Sequence, residues 1–130
     1  MFEKLEIFRM AQAMAMHAGA RQSVVAQNMA NADTPGYRAR DIAPFASFYQ
    51  SRGGGASGAY VTRPGHLLGQ GQQPGFAVTD DPSAVADPNG NSVSLEFEML
   101  KAVDVKRQHD QALAIYRSSL DVLRLAIGRR

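Results

Sequence analysis

Stepping by alternate threes and fours from Leu95 lands on Met99, Ala102, Lys106, His109, Leu113, Tyr116, Leu120, Leu123 and Ile127, and eight of these ten positions are apolar. That period is the seam along which two helices supercoil. Ser94 stands where a helix N-cap belongs, Glu96 and Glu98 place negative charge on the first turn, and Gly128-Arg129-Arg130 closes the stretch with positive charge. The pattern predicts a helix from about Leu95 to Ile127, roughly 50 Å long at 1.5 Å per residue. The first thirty-odd positions repeat the pattern at Phe8, Ala11, Ala15, Ala18, Gln22, Val25 and Met29, now with small residues that let backbones approach closely. Leu5, Ile7, Met10, Met14, Ala20 and Val24 widen the apolar surface beyond what one partner helix covers.

Between these flanks the pattern is lost. All six prolines lie between Pro35 and Pro88, and ten of the twelve glycines lie between Gly36 and Gly90. Gly53, Gly54, Gly55 and Gly58 read as a flexible run without the Lys-Ser/Thr of a phosphate loop, and Arg63-Pro64-Gly65 and Gln73-Pro74-Gly75 read as turns. The predicted fold is mainly α, with two long terminal helices in an antiparallel coiled-coil pair and a Gly/Pro-rich, loop-like or short-β middle. The expected boundaries are 1–33 for the first helix, 34–90 for the middle and 91–130 for the second helix, together one discontinuous domain. A lone helix pair cannot bury both apolar faces, so the expected form is a subunit that completes its core with neighbours. Phe8, Ala15, Val25, Met29, Leu113, Tyr116, Leu120, Leu123 and Ile127 are the expected packing positions.

Composition supports this picture. Of the 130 residues 45% are apolar, but 20 are Ala, and Leu, Ile, Val and Phe number only 28, about a fifth of the chain and close to the level at which chains stop folding alone. A net charge of +2 supplies neither the charge density of a disordered chain nor the basic excess of a nucleic-acid binder. With no Cys there is no disulfide, thiolate nucleophile or Cys-ligated zinc. Glu3, Lys4, Glu6 and Arg9 stand where a signal peptide needs an apolar core, and no apolar run is long enough to span a membrane.

Candidate chemistry changes little. Asp87, Asn89, Asn91, Val93 and Glu98 fall at calcium-loop spacing, but Ser92 occupies the glycine position and Pro82 and Pro88 crowd the entering helix. His17, His66 and His109 have no helical partner that would suggest zinc, and His109 reads as a polar seam position that fixes register. Met10, Met14 and Met16 read as packing residues. Asp80-Asp81 beside Pro82 is expected to stay solvated and ionised, with no base or nucleophile at hand, so no enzyme, cofactor, metal or small-molecule substrate is expected. Arg38 and Arg40 are expected to serve subunit contacts rather than nucleic acid, because Asp33 and Asp41 dilute the patch.

The exit of the first helix, Asn28-Met29-Ala30-Asn31-Ala32-Asp33-Thr34-Pro35-Gly36-Tyr37, is the most specific stretch. Pro35 pushes Thr34 toward extended backbone and ends the helix by about Asp33. Pro35-Gly36 fits the centre of a type II turn between Thr34 and Tyr37, and Asn28 and Asn31, one turn apart, can serve the helix's orphan carbonyls. Ala26-Gln27-Asn28 through Tyr37, followed by Arg38-Ala39-Arg40-Asp41, resembles the signature of the bacterial flagellar axial proteins, the family of rod, hook and hook-associated subunits. Gly90-Asn91-Ser92-Val93-Ser94-Leu95-Glu96 with Glu98-Met99 is similar to the start of that family's C-terminal helix, although Ser94 stands where Asp is common. Arg107-Gln108-His109 lacks the Arg-x-Tyr of many rod and hook relatives, which favours the proximal rod type over its rod neighbour. The resemblance implies a structural subunit without catalytic activity, exported by the flagellar type III apparatus and built into the rod that crosses the periplasm. It also implies a ring of paired terminal helices around the export channel. The implied partners are other copies, other rod subunits, the small adaptor FliE and the export gate. The alternative from another class is a helical adaptor that binds one partner through the same faces and never polymerises.

Overall fold

The computed structural model describes residues 2–53 and 76–128. Their elements run α1 (Phe2–Ala30), β1 (Arg40–Ile42), α2 (Phe45–Gly53), β2 (Val78–Asp80) and α3 (Leu95–Ile127). The glycines at 54, 55 and 58, the expected turns at Arg63-Pro64-Gly65 and Gln73-Pro74-Gly75, and Tyr60 and His66 lie outside the described residues.

The two long helices pack against each other antiparallel, as the sequence pattern predicts. Phe8 near the start of α1 meets Tyr116 near the end of α3 edge-on, with centroids 5.3 Å apart, while Asn91 just before α3 bonds the chain leaving α1. On α1 the buried line is Ala11, Ala18 and Val25; on α3 it is Glu98, Val105 and Ala112. Both lines step by seven, the heptad of a coiled coil, and the register sets Ala11 level with Ala112 and Ala18 with Val105. The α1 line lies within the seam expected there, with Phe8, Ala15 and Met29 half-buried beside it and Gln22 exposed. On α3 the line runs one position before the expected seam. Leu113, Leu120 and Leu123 stay half-buried, while Leu95, Met99, Tyr116 and Ile127 are exposed. Along Val105 and Ala112 the physical reason is size, since alanines on α1 favour small facing residues and larger ones are turned to the margin, whereas Glu98 is buried with a bond from Lys101.

A second stripe of α1 faces the middle of the chain. His17, Val24 and Asn28 are buried, and β1 lies across them, paired antiparallel with β2 in the register Arg40↔Asp80, Asp41↔Thr79 and Ile42↔Val78. The helix α2 was not foreseen in the sequence. Pro44 suits a helix start, its carbonyl accepts from Ser47 N and Phe48 N, and Phe45, Phe48 and Tyr49 then share one face. That face joins Phe76 and His17 in an aromatic cluster, with His17 edge-on to Phe45 and to Phe76 at centroid distances of 5.6 and 4.9 Å. His17 Nε2 donates to the Ala43 carbonyl at 2.7 Å, which ties the start of α2 to α1. Among the described residues, no helix is long and apolar enough to cross a membrane.

Candidate functional site

The motif residues meet at the end of the helix pair, where the chain leaving α1 is closed by the chain entering α3. Tyr37 N donates to the Thr34 carbonyl at 3.3 Å, and Gly36 at the third turn position has φ +75°, the left-handed value that a type II turn needs and Gly takes cheaply. Asn28 is fully buried and treats Arg40 as a strand would. Its Nδ2 donates to the Arg40 carbonyl at 2.7 Å, while its Oδ1 accepts from Arg40 N at 3.1 Å and from the Tyr37 hydroxyl at 3.3 Å. Asn31 Nδ2 donates back to the Gln27 carbonyl at 2.8 Å, and Asn31 Oδ1 accepts from the Thr34 hydroxyl at 3.3 Å. The six motif residues therefore form one continuous turn and cap.

The other half of the junction was not anticipated as such. Asn91, 2% exposed, points its Nδ2 at three carbonyls of the α1 exit, those of Asn31, Ala32 and Thr34 at 3.0, 2.7 and 2.9 Å. Its Oδ1 accepts from Val93 N at 2.8 Å. Beyond a helix end carbonyls lose their regular i+4 partners, and here a side chain some sixty positions away bonds three of them. Asn91 is placed by a turn over Asp87-Pro88-Asn89-Gly90, in which Gly90 N donates to the Asp87 carbonyl at 2.8 Å. Asp, Pro and Gly at first, second and fourth positions are a turn signature readable from sequence. Gly36 N donates to the Asn89 carbonyl and Ser92 N to the Tyr37 carbonyl, at 3.1 and 3.0 Å. Ala39 N adds a bond to Ser92 Oγ at 2.8 Å. Gly90 has φ +83°, and a Cβ there would stand 3.3 Å from Gly36 Cα, so two left-handed glycines touch. The residues at calcium-loop spacing thus face different partners: Asn91 the α1 carbonyls, Glu98 the Lys101 ammonium.

Below the junction, charges cross between the elements. Arg21 on α1 grips Asp41 through Nε and a terminal nitrogen at 2.9 and 3.0 Å. Lys101 on α3 bonds the Asp81 carboxylate, reaches Glu98 Oε1 at 3.1 Å, and lies 3.8 Å from Asp41. Asp81 corrects the sequence expectation of a solvated acid, because its side chain is only 8% exposed. Burial by itself opposes ionisation of Asp81, but the hydrogen bonds from Lys101 and from the Ser83 hydroxyl and amide outweigh it and hold the carboxyl at about 2. Burial also opposes charge on Asp41, and Arg21 with the Ile42 amide holds it below its usual range. Burial pulls Lys101 down while Asp81 and Glu98 more than restore it; Arg21 is raised by its bond to Asp41. Asp80 does stay exposed, 3.6 Å from Arg38. The Arg38 and Arg40 side chains are exposed beside this network.

Ser94 occupies the N-cap position of α3 without a side-chain cap bond, and its carbonyl accepts from Glu98 N at 3.0 Å. His109 is half-buried next to Asp110. Outside the junction the helix pair leaves an apolar face: Phe97, Met99, Leu100 and Val103 on the outer side of α3, Leu125 and Ile127 at its far end, and Leu5 and Ile7 on α1 are all exposed. A cleft of about 300 Å³ opens between Val85 and Phe97, floored by Lys101 and Asp81.

Two long helices closed by a hydrogen-bonded turn, with apolar faces left uncovered, are the build of a structural subunit made for assembly. The sequence profile of the family described as "Flagella basal body rod protein" matches residues 10–38, the stretch that holds the α1 seam and the motif turn. The flagellar basal body rod protein FlgB of Agrobacterium fabrum is 32% identical over 98% of this chain and 96% of its own length. FlgB of Escherichia coli is 35% identical over 88% of each chain, and FlgB of Aeromonas hydrophila is 27% identical over 82% of this chain and 81% of its own. The chain belongs to the FlgB family of flagellar basal body rod proteins.

Proposed function

We propose that this chain is a structural subunit of the proximal flagellar rod, which assembles by laying the outer face of its α1–α3 pair against neighbouring subunits. The observation that carries the reading is the uncovered apolar side of α3, where Phe97, Leu100 and Val103 are each about two-thirds exposed although they lie within a 33-residue helix. A soluble monomer rarely keeps a contiguous apolar patch of this kind without a partner for it. Within the assembly the paired helices line the export channel, with other rod subunits packed around them. The neighbours toward the cell are the FliE adaptor and the type III export gate. Arg38 and Arg40, held outward by the motif turn, make polar contacts with the next subunit. Phe8, Ala15, Val25, Met29, Leu113, Tyr116, Leu120 and Leu123 hold the pair together, while Ile127, at its margin, extends the contact to neighbours. The chain reaches the periplasmic rod by type III export and performs no catalysis.

The test is complementation. In a flagellated host lacking its own FlgB, the wild-type chain should restore swimming and co-purify with basal bodies, whereas Leu100→Asp with Val103→Asp should be produced, fold, and be absent from basal bodies. A chain that restores nothing yet binds a single soluble partner would support the non-polymerising adaptor instead.

A further inference from the structure

The turn before α3 carries chemistry that its structural role does not use. Of the four asparagines in the chain, Asn28, Asn31, Asn89 and Asn91, Asn89 is the one followed by glycine. With no side chain on the next residue, the following backbone nitrogen has open access to the asparagine side-chain carbonyl. We propose that Asn89-Gly90 is a deamidation site that the folded junction keeps closed and the unfolded chain leaves open. In the reaction Gly90 N bonds to Asn89 Cγ and closes a succinimide ring. The side-chain nitrogen leaves as ammonia and carries away the Gly90 amide proton. Water then adds to one of the two ring carbonyls and opens the ring to aspartate or, through the other, to isoaspartate. Water enters and ammonia leaves, and nothing is oxidised or reduced.

Folding holds both reacting groups. The Gly90 N–H is donated to the Asp87 carbonyl at 2.8 Å, which retains the proton the nitrogen must lose. Asn89 Oδ1 accepts from Asn91 N at 3.0 Å, and Gly90 is fixed at φ +83° against Gly36. Asn89 is itself exposed, so water reaches it, and the restraint lies in the backbone bonds rather than in burial. The two products differ in consequence. Aspartate keeps an oxygen for the Asn91 amide and leaves the backbone unchanged. Isoaspartate instead routes the backbone through Cβ and Cγ, one methylene longer, and turns the Asn89 carbonyl that binds Gly36 N into a side carboxylate, so Asn91 no longer reaches its three carbonyls.

The experiment holds the full chain at mildly alkaline pH in buffer and, in parallel, in urea. Mass spectrometry follows the proteolytic peptide that contains Asn89, and isoaspartate is counted by enzymatic methylation. Asn89 should convert on the order of tenfold faster or more in urea, since release of the turn's hydrogen bonds must precede attack in the folded chain. Asn89→Gln should abolish the product, and Asn89→Asp should fold as wild type by circular dichroism. Equal rates in the two conditions, or no conversion in urea, would overturn the site. An Asn89→Asp chain that loses its helix pair would overturn the assignment of isoaspartate as the damaging product.

Discussion

Replacing Asn91 with Asp changes one atom in a buried side chain and should be among the most damaging single changes in the protein. Two Nδ2 hydrogens serve three carbonyl oxygens between 2.7 and 3.0 Å, so at least one hydrogen is shared. The Asn31 and Thr34 carbonyls keep backbone partners in Thr34 N and Tyr37 N, whereas the Ala32 carbonyl makes the shortest contact with Asn91 and depends on it most. Truncation to Ala orphans that oxygen and the buried Val93 N–H, at about 1–3 kcal/mol per group, for a total of about 2–6 kcal/mol. Asp keeps the Val93 bond but turns a carboxylate oxygen toward three carbonyls, so its cost should exceed that of Ala despite the closer shape. The carboxyl of Asn91→Asp should be harder to ionise in the folded state than in the unfolded one, so that the loss shrinks as pH falls and the protonated acid regains a donor. Urea unfolding followed by circular dichroism reads the effect as a midpoint shift, of about 1–3 M for a slope of about 2 kcal/mol/M. An Asp variant within about 0.5 kcal/mol of wild type at neutral pH would refute the role given to Asn91.

Gly90→Ala should cost about 1–2 kcal/mol or more, because it combines left-handed backbone with a Cβ 3.3 Å from Gly36 Cα, while Gly36→Ala meets nothing within 4 Å and should be milder; thermal melts of the two variants rank them. Gly36→Val should be worse than Gly36→Ala in both stability and rod incorporation, since the branched side chain fits the same φ less well. The Asp81 carboxyl, held at about 2 in the folded chain against 3.8 unfolded, contributes up to about 2 kcal/mol that is fully present above pH 4 and lost as pH falls through 2; urea titrations across that range should show the slope, and Lys101→Met should flatten it. Ala112→Leu should destabilise by about 1–3 kcal/mol by forcing the close-packed helices apart, which the same melts detect.

The two helices, their antiparallel pairing and the type II turn were legible because each rests on local chemistry: heptad spacing, the restriction Pro35 places on Thr34, and the need for Gly at positive φ. The facing line of α3 was read one position late, because counting apolar residues weights Leu113 and Tyr116, whereas the alanines of α1 select small partners such as Ala112. The helix α2 carried a usable signal in Pro44 followed by aromatics at helical spacing, masked by the glycines that follow it. The long-range pairs had no such signal. Asn91 capping α1, and Lys101 drawing Asp81 out of water, join residues 20 to 60 positions apart through single polar groups, and nothing in their local sequence distinguishes them from solvated neighbours. His17 likewise looks like an isolated histidine until β1 and α2 bring the Ala43 carbonyl and two phenyl rings to it.

The proposed contact between subunits rests on the uncovered outer side of α3, and thiol protection measures it most directly. The chain has no Cys, so one introduced thiol reports a single place. Leu100 is 63% exposed and Val105 is fully buried between the helices. In the free subunit Leu100→Cys should react rapidly with a soluble maleimide and Val105→Cys slowly. In purified basal bodies that contain the subunit, Leu100→Cys should become as protected as Val105→Cys. A Leu100→Cys thiol that labels equally fast in the free subunit and in basal bodies would contradict the assignment of this face to the contact between rod subunits.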